Sequence, residues 1–293
     1  MAVENKQNSD NSEITYQQLD IEHILRNQEN KIVKNLPRFI INRIKKSFHE
    51  DEINEILKKL HDKYGHDFVN GVVENLNYKV IGYHTDLLPD TGKFIFAGNH
   101  PYGGADFGAS FYLLSQTYKK IKLVANEMFL HVENAKEIFL PVSILKSNEK
   151  GKMDKIDDSL ADDDTQILIF PAGKVARKHK GKLDDGFWHR SFIRNAVLFK
   201  RDIIPFFVDG ENSKKFYRWA RIRKFLGIKA NIEFFLLPGE VFKKKGAEIH
   251  IVFGKPIPYT TFDDSKTHLE WAEEVKKIVY KIGEDFKNRS SSS

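Results

Sequence analysis

The chain has 293 residues, a formal net charge of +6 and no cysteine. Its length suits one large α/β domain with helical additions, and the lack of cysteine excludes disulfides, thiolate nucleophiles and cysteine-ligated zinc. The polar start is unlike a signal peptide, no apolar run is long enough to span a bilayer, and the positive charge favours anionic partners such as lipid headgroups, nucleic acid or acidic acyl carriers.

Residues 1–77 are predicted to form a disordered tail followed by helices that lead into the core. The tail corresponds to the polar residues 1–12, and residues 290–293 are expected to form a second, short tail. Apolar residues at helical spacing predict a helix from Tyr16 to Arg26. They predict another from Glu52 to Asn75, interrupted at Gly65.

Between these helices, residues 38–48 interleave apolar and basic side chains. A helix here would carry one apolar stripe flanked by cations. The stripe is Ile40, Ile41, Ile44 and Phe48, and the cations, which are candidates for membrane contact, are Arg43, Lys45 and Lys46. This composition is typical of a helix lying in a membrane interface, but a surface helix docked on the protein core would show the same stripe. Both interpretations stay open at this point.

Residues 78–262 are predicted to form an α/β core, because short apolar runs bounded by turn residues alternate with helical patterns. The predicted strands are Tyr78 to Tyr83, Phe94 to Ala97, Lys122 to Ala125, Gln166 to Phe170, Ile203 to Val208, Asn231 to Leu237 and Glu248 to Phe253. Pro205 indicates an edge strand or a bulge. Helices are predicted from Asp106 to Thr117 and within residues 263–289, the latter packing against the sheet.

His100 and Asp106 lie in the loop between a predicted strand and a predicted helix. A neutral imidazole can take the proton of an attacking hydroxyl or amine. A carboxylate on its other nitrogen would orient the ring and stabilise the imidazolium that forms. Asp106 could instead cap the helix, which would make the histidine incidental. The spacing alone leaves these two interpretations open.

Two basic stretches are further candidates for binding. Residues 171–180 follow a strand, and open α/β sheets place ligands beyond the carboxyl ends of strands, so a phosphate or carboxylate could bind there. Residues 214–229 mix cations with aromatic residues and contain no acid, which favours an anionic membrane surface over nucleic acid. The candidates for membrane contact in this second stretch are Arg218, Trp219, Arg221, Arg223 and Lys224.

Four blocks of residues resemble, in the same order, the motifs of the lysophospholipid acyltransferase superfamily, the glycerolphosphate acyltransferase-like enzymes. The blocks are Asn99 to Asp106, Lys122 to Glu127, Phe170 to Gly173, and Ile204 to Phe206. Four ordered motifs are far more specific than one. No Gly-x-Ser-x-Gly motif, P-loop or metal-ligand spacing competes with this interpretation, so we expect neither a metal nor a cofactor.

The resemblance implies an α/β acyltransferase fold, with a mixed, mostly parallel sheet flanked by helices. It also implies an acyl thioester on an acyl-carrier protein or coenzyme A as donor. His100 would be the general base and Asp106 the carboxylate that orients it, while amides near Gly103 and Gly104 would stabilise the oxyanion. The residues that would bind substrate are Asn99, Gly103, Gly104, Phe170, Pro171, Gly173, Lys174 and Arg177.

The chain departs from the common family pattern in three places. Five residues rather than four separate His100 from Asp106, Ala172 replaces a glutamate, and Val175 replaces an arginine thought to hold the acceptor's phosphate. In these features the chain is similar to the bacterial branch that N-acylates small amino acids such as glycine.

We therefore expect a peripheral enzyme on the cytoplasmic face of the cell membrane that transfers long-chain acyl groups to a small amino acid in membrane lipid synthesis. The alternatives are a glycerol-phosphate or lysophosphatidate O-acyltransferase and a non-catalytic membrane-binding protein.

Overall fold

The computed structural model describes residues 16–27, 34–126, 132–142, 157–179, 181–225 and 236–290. Its helices are α1 (Ile21–Arg26), α2 (Arg38–Phe48), α3 (Glu50–Lys59), α4 (Gly65–Asn75), α5 (Gly104–Ser115), α6 (Ser191–Phe199), α7 (Lys214–Phe225), α8 (Leu237–Lys243) and α9 (His268–Ser290). Its strands are β1 (Lys79–Tyr83), β2 (Phe94–Gly98), β3 (Ile121–Asn126), β4 (Phe139–Val142), β5 (Gln166–Ile169), β6 (Arg177–His179), β7 (Lys182–Asp184), β8 (Asp202–Val208) and β9 (Glu248–Phe253). Among the described residues, no helix combines the length and the apolar character needed to cross a bilayer.

Seven strands form one sheet in the order β1-β9-β8-β2-β5-β3-β4. The five strands from β8 to β4 run parallel, whereas β9 is antiparallel to β8 and parallel to β1. The predicted mixed, mostly parallel α/β sheet is therefore confirmed. The strands β8, β2 and β5 are neighbours, so their carboxyl ends meet at one edge of the sheet, with β2 in the middle.

Helices cover both faces of the sheet, and β2 shows why. Successive side chains of a strand point to opposite faces. Phe94 and Phe96 belong to an apolar cluster shared with α4 and α5, whereas Ile95 and Ala97 belong to a second cluster shared with α6 and α9. Each residue of β2 is buried as a result, which explains the unbroken apolar run in the sequence.

The helices before the sheet pack in two different ways. α4 begins at Gly65, where the predicted interruption occurs with a φ of 54°. Its residues Val69 and Val73 lie in the same cluster as the sheet. α1 and α2 instead form a small cluster of their own, in which Ile41 and Phe48 are buried. The docked interpretation of α2 therefore accounts for these two stripe residues, while Arg43 and Lys46 beside them are exposed.

Pro205 is not in an edge strand, because β8 lies between β2 and β9. The other possibility, a bulge, is what occurs. Phe206 pairs with Phe253, and the next contact is the bridge between Ile203 and Ile257. Residues 254–256 therefore lie opposite residues 204–205, which gives one extra residue on the β9 side. An irregular ladder at this point tolerates a residue without an N–H.

One helix prediction and one strand prediction need correction. α5 begins at Gly104, two residues before the predicted start at Asp106. The predicted strand from Asn231 to Leu237 is wrong at its end, since Leu237 begins helix α8, and residues 231–235 lie outside the described residues. Pro238 and Gly239 usually interrupt structure, but proline fits the first turn of a helix, where its missing N–H has no partner to lose.

Candidate active site

His100 and Asp106 meet at the edge of the sheet where β2 ends. The imidazole Nδ1 lies 2.9 Å from Asp106 Oδ2, and the side chains are 17% and 0% exposed. The contact has the length of a hydrogen bond but not its full geometry, and Nδ1 has no other partner within the described part of the chain. Since the carboxylate faces Nδ1, the other ring nitrogen, Nε2, is the one left for a substrate.

Asp106 also caps its helix, so the two interpretations of the sequence are compatible. It is the third residue of α5 rather than the N-cap, which is Gly103. Its Oδ2 accepts hydrogen bonds from the backbone N–H groups of Tyr102 at 2.8 Å and Gly103 at 2.9 Å. Burial raises the pKa of Asp106, while the facing imidazole and these two N–H groups act in the opposite direction.

This capping changes the predicted oxyanion site. The N–H of Gly103 donates to Asp106 Oδ2 at 2.9 Å, so in this structure it is not free to donate to a substrate. Glycine at position 103 instead allows the turn before α5, because its φ of 95° is accessible to glycine and strained for other residues. Gly104 is the first residue of α5 and is exposed, and no partner for its N–H occurs among the described residues. Of the two predicted amides, only that of Gly104 remains a candidate.

The loop after β5 packs directly on the histidine. The Phe170 ring stacks on the His100 imidazole, with centroids 4.3 Å apart and planes inclined by 24°. The N–H of Gly173 donates to the carbonyl of Phe170 at 2.9 Å, which closes a turn, and Gly173 has a φ of 61°. The carbonyl of Pro171 accepts from His189 N–H at 3.0 Å. These three residues therefore shape the wall beside His100.

The side chain of Asn99 forms hydrogen bonds that connect the end of β2 to the end of β8. Its amide nitrogen donates to the Val208 carbonyl at 2.9 Å, and its amide oxygen accepts from the Val208 N–H at 2.7 Å. The side chain is 2% exposed. Both ends of the amide are thus used to join β2 to β8, and the structure does not place Asn99 as the substrate contact predicted from the sequence.

Two buried polar residues that the sequence analysis did not identify hold the loop that carries His100. Asp185 Oδ2 accepts from the His100 backbone N–H at 3.2 Å, and Asn212 Nδ2 donates to the Pro101 carbonyl at 3.1 Å. Each residue is 2% exposed. Asp185 lies in a Lys-Leu-Asp-Asp-Gly stretch typical of a surface turn, so the sequence signal was weak.

The two cations of the predicted binding loop differ in their surroundings. Lys174 is exposed. Arg177 is half-buried, donates to the Val175 carbonyl at 2.7 Å and lies 4.6 Å above the Phe216 ring. Val175, at the position of the family's arginine, is buried in an apolar cluster with Phe216 and Tyr217. The structure therefore brings Lys174 to the surface but engages Arg177 in packing.

Helix α7 has one side that packs on the protein and one side that is exposed, and the predicted membrane residues that are described lie on the exposed side. Phe216 and Tyr217 face the protein, while Trp219 is 41% exposed and Ile222 is 38% exposed. Arg218 and Arg221 are exposed as well, and the side chains of Arg223 and Lys224 lie outside the described residues. In α2, Lys45 pairs with Glu50 at 2.8 Å, and Phe39 is 67% exposed.

The chain is similar to known proteins over most of its length. The chain is 37% identical over 265 residues to the lyso-glycine lipid O-acyltransferase of Bacteroides thetaiotaomicron, covering 90% of this chain and 97% of the relative. It is 35% identical over 265 residues to the protein of the same name from Phocaeicola vulgatus, with coverage of 90% and 95%.

Among solved structures, the 1-acyl-sn-glycerophosphate acyltransferase PlsC from Thermotoga maritima is similar, with a TM-score of 0.47 and 13% identity over 76% of this chain and 78% of that one. The model of the acyltransferase family matches residues 23–288. The chain therefore belongs to this acyltransferase family, within the lysophospholipid acyltransferase branch that its motifs predicted.

Proposed function

We propose that the protein transfers a long-chain acyl group from an acyl thioester to the hydroxyl group of a glycine-containing lyso-lipid. The observation that carries this proposal is the pair formed by His100 and the fully buried Asp106 at the carboxyl edge of the sheet. The names of the two relatives support a hydroxyl acceptor. They favour O-acylation of a lyso-lipid over the N-acylation of free glycine expected from the sequence.

In the proposed reaction, His100 Nε2 takes the proton of the acceptor hydroxyl as its oxygen attacks the thioester carbonyl. Asp106, facing Nδ1, stabilises the imidazolium that forms. The tetrahedral intermediate then collapses, the carbon–sulfur bond breaks, and the proton on His100 passes to the departing thiolate. The products are an ester and a free thiol, and no covalent enzyme intermediate is needed.

The negative charge of the intermediate would be stabilised at the start of α5. Gly104 lies at the first helical position, four residues after His100, and its N–H is the available donor described above. A helix N-terminus also carries partial positive charge, which adds to the effect of a single donor. The donor itself would be an acyl-carrier protein or coenzyme A thioester.

The acceptor assignment depends on the loop after β5. The position of the family's phosphate-binding arginine is Val175, which is buried among aromatic and aliphatic side chains. Glycine acylated on nitrogen keeps a carboxylate, and the exposed Lys174 can pair with it without a bidentate phosphate site. A phosphate acceptor, such as glycerol 3-phosphate or lysophosphatidate, is the alternative.

A lyso-lipid acceptor would have to be reached at a membrane. The exposed side chains of α7, with Phe39 and Arg43 of α2, offer cations and apolar groups suited to the anionic inner face of the cell membrane. We propose peripheral attachment there.

The experiment is a transfer assay with purified protein, following thiol release and product mass. Glycine N-acylated with a hydroxy fatty acid, free glycine, glycerol 3-phosphate and lysophosphatidate are each offered with the same palmitoyl thioester. We expect the first to be acylated, and we expect His100→Ala to lower kcat about 100- to 10,000-fold. Preferential acylation of glycine or of a phosphate acceptor would overturn the assignment of a lyso-lipid acceptor. Activity of His100→Ala above about a tenth of the wild-type value would overturn the mechanism. Absence of thiol release with every acceptor would favour the non-catalytic alternative.

A further inference from the structure

We propose that Asp185 is a positioning residue of the active site, which fixes the backbone of His100 and places a second buried carboxylate close to its imidazole. This role rests on the proposed function of His100. Asp185 lies after β7, far in sequence from the loop it supports, and its side chain is 2% exposed. A carboxylate buried to this extent needs several hydrogen-bond donors.

The donors come from three different parts of the chain. Oδ2 accepts from the His100 backbone N–H at 3.2 Å and from the Trp188 indole N–H at 3.3 Å. Oδ1 accepts from the Tyr280 hydroxyl at 2.7 Å, and that hydroxyl in turn accepts from the Asp185 N–H at 3.0 Å. One side chain therefore joins the catalytic loop, the turn before α6 and the C-terminal helix α9.

His100 is held by two carboxylates in different ways. Asp106 faces the ring nitrogen Nδ1, and Asp185 binds the main-chain N–H of the same residue. When the imidazole becomes a cation during proton transfer, both buried negative charges stabilise it, because little water screens them. The geometry thus predicts an effect on the chemical step rather than on substrate binding.

The protonation of Asp185 supplies a test of this electrostatic role. Burial raises the pKa of Asp185 to about 6, against the opposing effects of Tyr280, His100 and Trp188, and Asp106 adds to the rise. The neighbouring Asp184 also faces Tyr280. Asp185 is therefore charged at neutral pH and loses its charge below about pH 6.

The adjacent residue provides a matched control. Asp184 is the last residue of β7, accepts from the Gly186 N–H and pairs with Lys276 of α9 at 2.9 Å. It links the start of the same turn to the same helix, and neither of these contacts involves His100. A defect caused only by loosening this turn should appear in both Asp184→Asn and Asp185→Asn.

We would measure kcat, KM for both substrates and thermal stability for the two variants between pH 5 and 8. Asp185→Asn should lower kcat about 10- to 100-fold at pH 7.5 with KM within about threefold, while Asp184→Asn should stay near the wild-type value. The ratio of wild-type to Asp185→Asn kcat should fall towards one below about pH 6, where the wild-type carboxyl is neutral.

An equal loss in both variants, a ratio independent of pH, or a kcat loss in Asp185→Asn below about threefold would overturn the role of Asp185. If Asp185→Asn does not fold, Tyr280→Phe gives the same test. Removing its hydroxyl weakens a bond that favours the charged carboxylate, so kcat should begin to fall at a higher pH than in the wild type. An unchanged profile would also overturn the role. An active His100→Ala would instead overturn the proposed catalytic role of His100, on which this inference rests.

Discussion

The ring of Phe170 lies against the imidazole of His100, nearly parallel to it, at a centroid distance of 4.3 Å. The two residues follow different strands, β5 and β2, which are neighbours in the sheet. Phe170 also makes an edge-to-face contact with Phe206 of β8, with centroids 5.9 Å apart. Asp106 thus faces the edge of the His100 ring at Nδ1, while Phe170 covers one face of the ring.

We expect Phe170→Leu to lower kcat about 10-fold, because the imidazole would lose the flat surface that fixes its orientation. The KM values should change little. Phe187→Leu is the control, since Phe187 is 49% exposed and packs on His189 rather than His100. Steady-state kinetics and thermal unfolding of both variants distinguish a role in orienting His100 from a role in packing. A variant that melts earlier but keeps the wild-type kcat would assign Phe170 to packing alone.

Asn99→Ala should reduce the free energy of unfolding by about 2–4 kcal/mol, because the N–H and carbonyl of Val208 would both lose a buried partner. Urea unfolding measures this loss. Asn75→Ala is the comparison, as its amide donates a single bond to the Gly71 carbonyl at 2.8 Å, and it should cost less than about 1 kcal/mol. Unchanged stability with a raised acceptor KM would support the substrate contact predicted from the sequence.

The sequence predicted β2, β5, β8 and β9 well because strands buried in a sheet between helices are short apolar runs. The sequence did not predict contacts between segments that are far apart in the chain. Asn99 and Val208 are 109 residues apart, and the use of the Asn99 amide by β8 leaves no local pattern. The hydrogen bond from the Gly103 N–H to Asp106 likewise has no signal in the sequence, since it forms only in the folded loop.

Lys174→Ala should raise the acceptor KM more than Arg177→Ala does. Lys174 is exposed, whereas the Arg177 guanidinium is engaged by the Val175 carbonyl and the Phe216 ring. Arg177→Ala should mainly lower stability, by about 1–2 kcal/mol, through the lost cation–π contact and hydrogen bond. Acceptor titrations and urea unfolding of the two variants test this. The opposite pattern, with a large KM effect only in Arg177→Ala, would restore the prediction made from sequence.

Helix α8 shows a further limit of sequence patterns. Gly239 lies inside it and would usually weaken a helix. A Cβ at this position would lie 2.8 Å from the Ser47 carbonyl oxygen, so glycine allows α8 to approach the end of α2. Close packing between helices that are far apart in sequence, rather than propensity, explains the residue.

Asp185 should make the wild-type protein less stable as the pH rises from about 4 to about 6. The pKa of Asp185 is about 6 in the folded protein and about 3.9 in an unfolded chain, so the folded state binds this proton more tightly. The stabilisation is complete below about pH 4 and is lost by the time the pH passes 6, a change of about 3 kcal/mol. The difference in unfolding free energy between wild type and Asp185→Asn, measured in urea at each pH, should fall over this interval. A difference that stays constant with pH would show that the pKa of the Asp185 carboxyl is not raised in the folded protein.

Removing four cations of α7 should weaken binding to anionic membranes. Arg218 and Arg221 lie beside the exposed Trp219, and a cation near an anionic surface contributes about 1 kcal/mol. The variant with glutamine at Arg218, Arg221, Arg223 and Lys224 should therefore bind vesicles containing phosphatidylglycerol far more weakly in co-sedimentation, and wild-type binding should fall with salt.

The matched control removes four exposed cations that already pair with carboxylates, namely Lys120, Lys136, Lys277 and Lys281. Both variants lose the same formal charge. A general effect of net charge would therefore weaken both equally, which would contradict a specific surface on α7. Weaker binding of the α7 variant alone, with thiol release from a water-soluble acceptor unchanged, would identify this helix as the membrane contact and separate attachment from catalysis at His100.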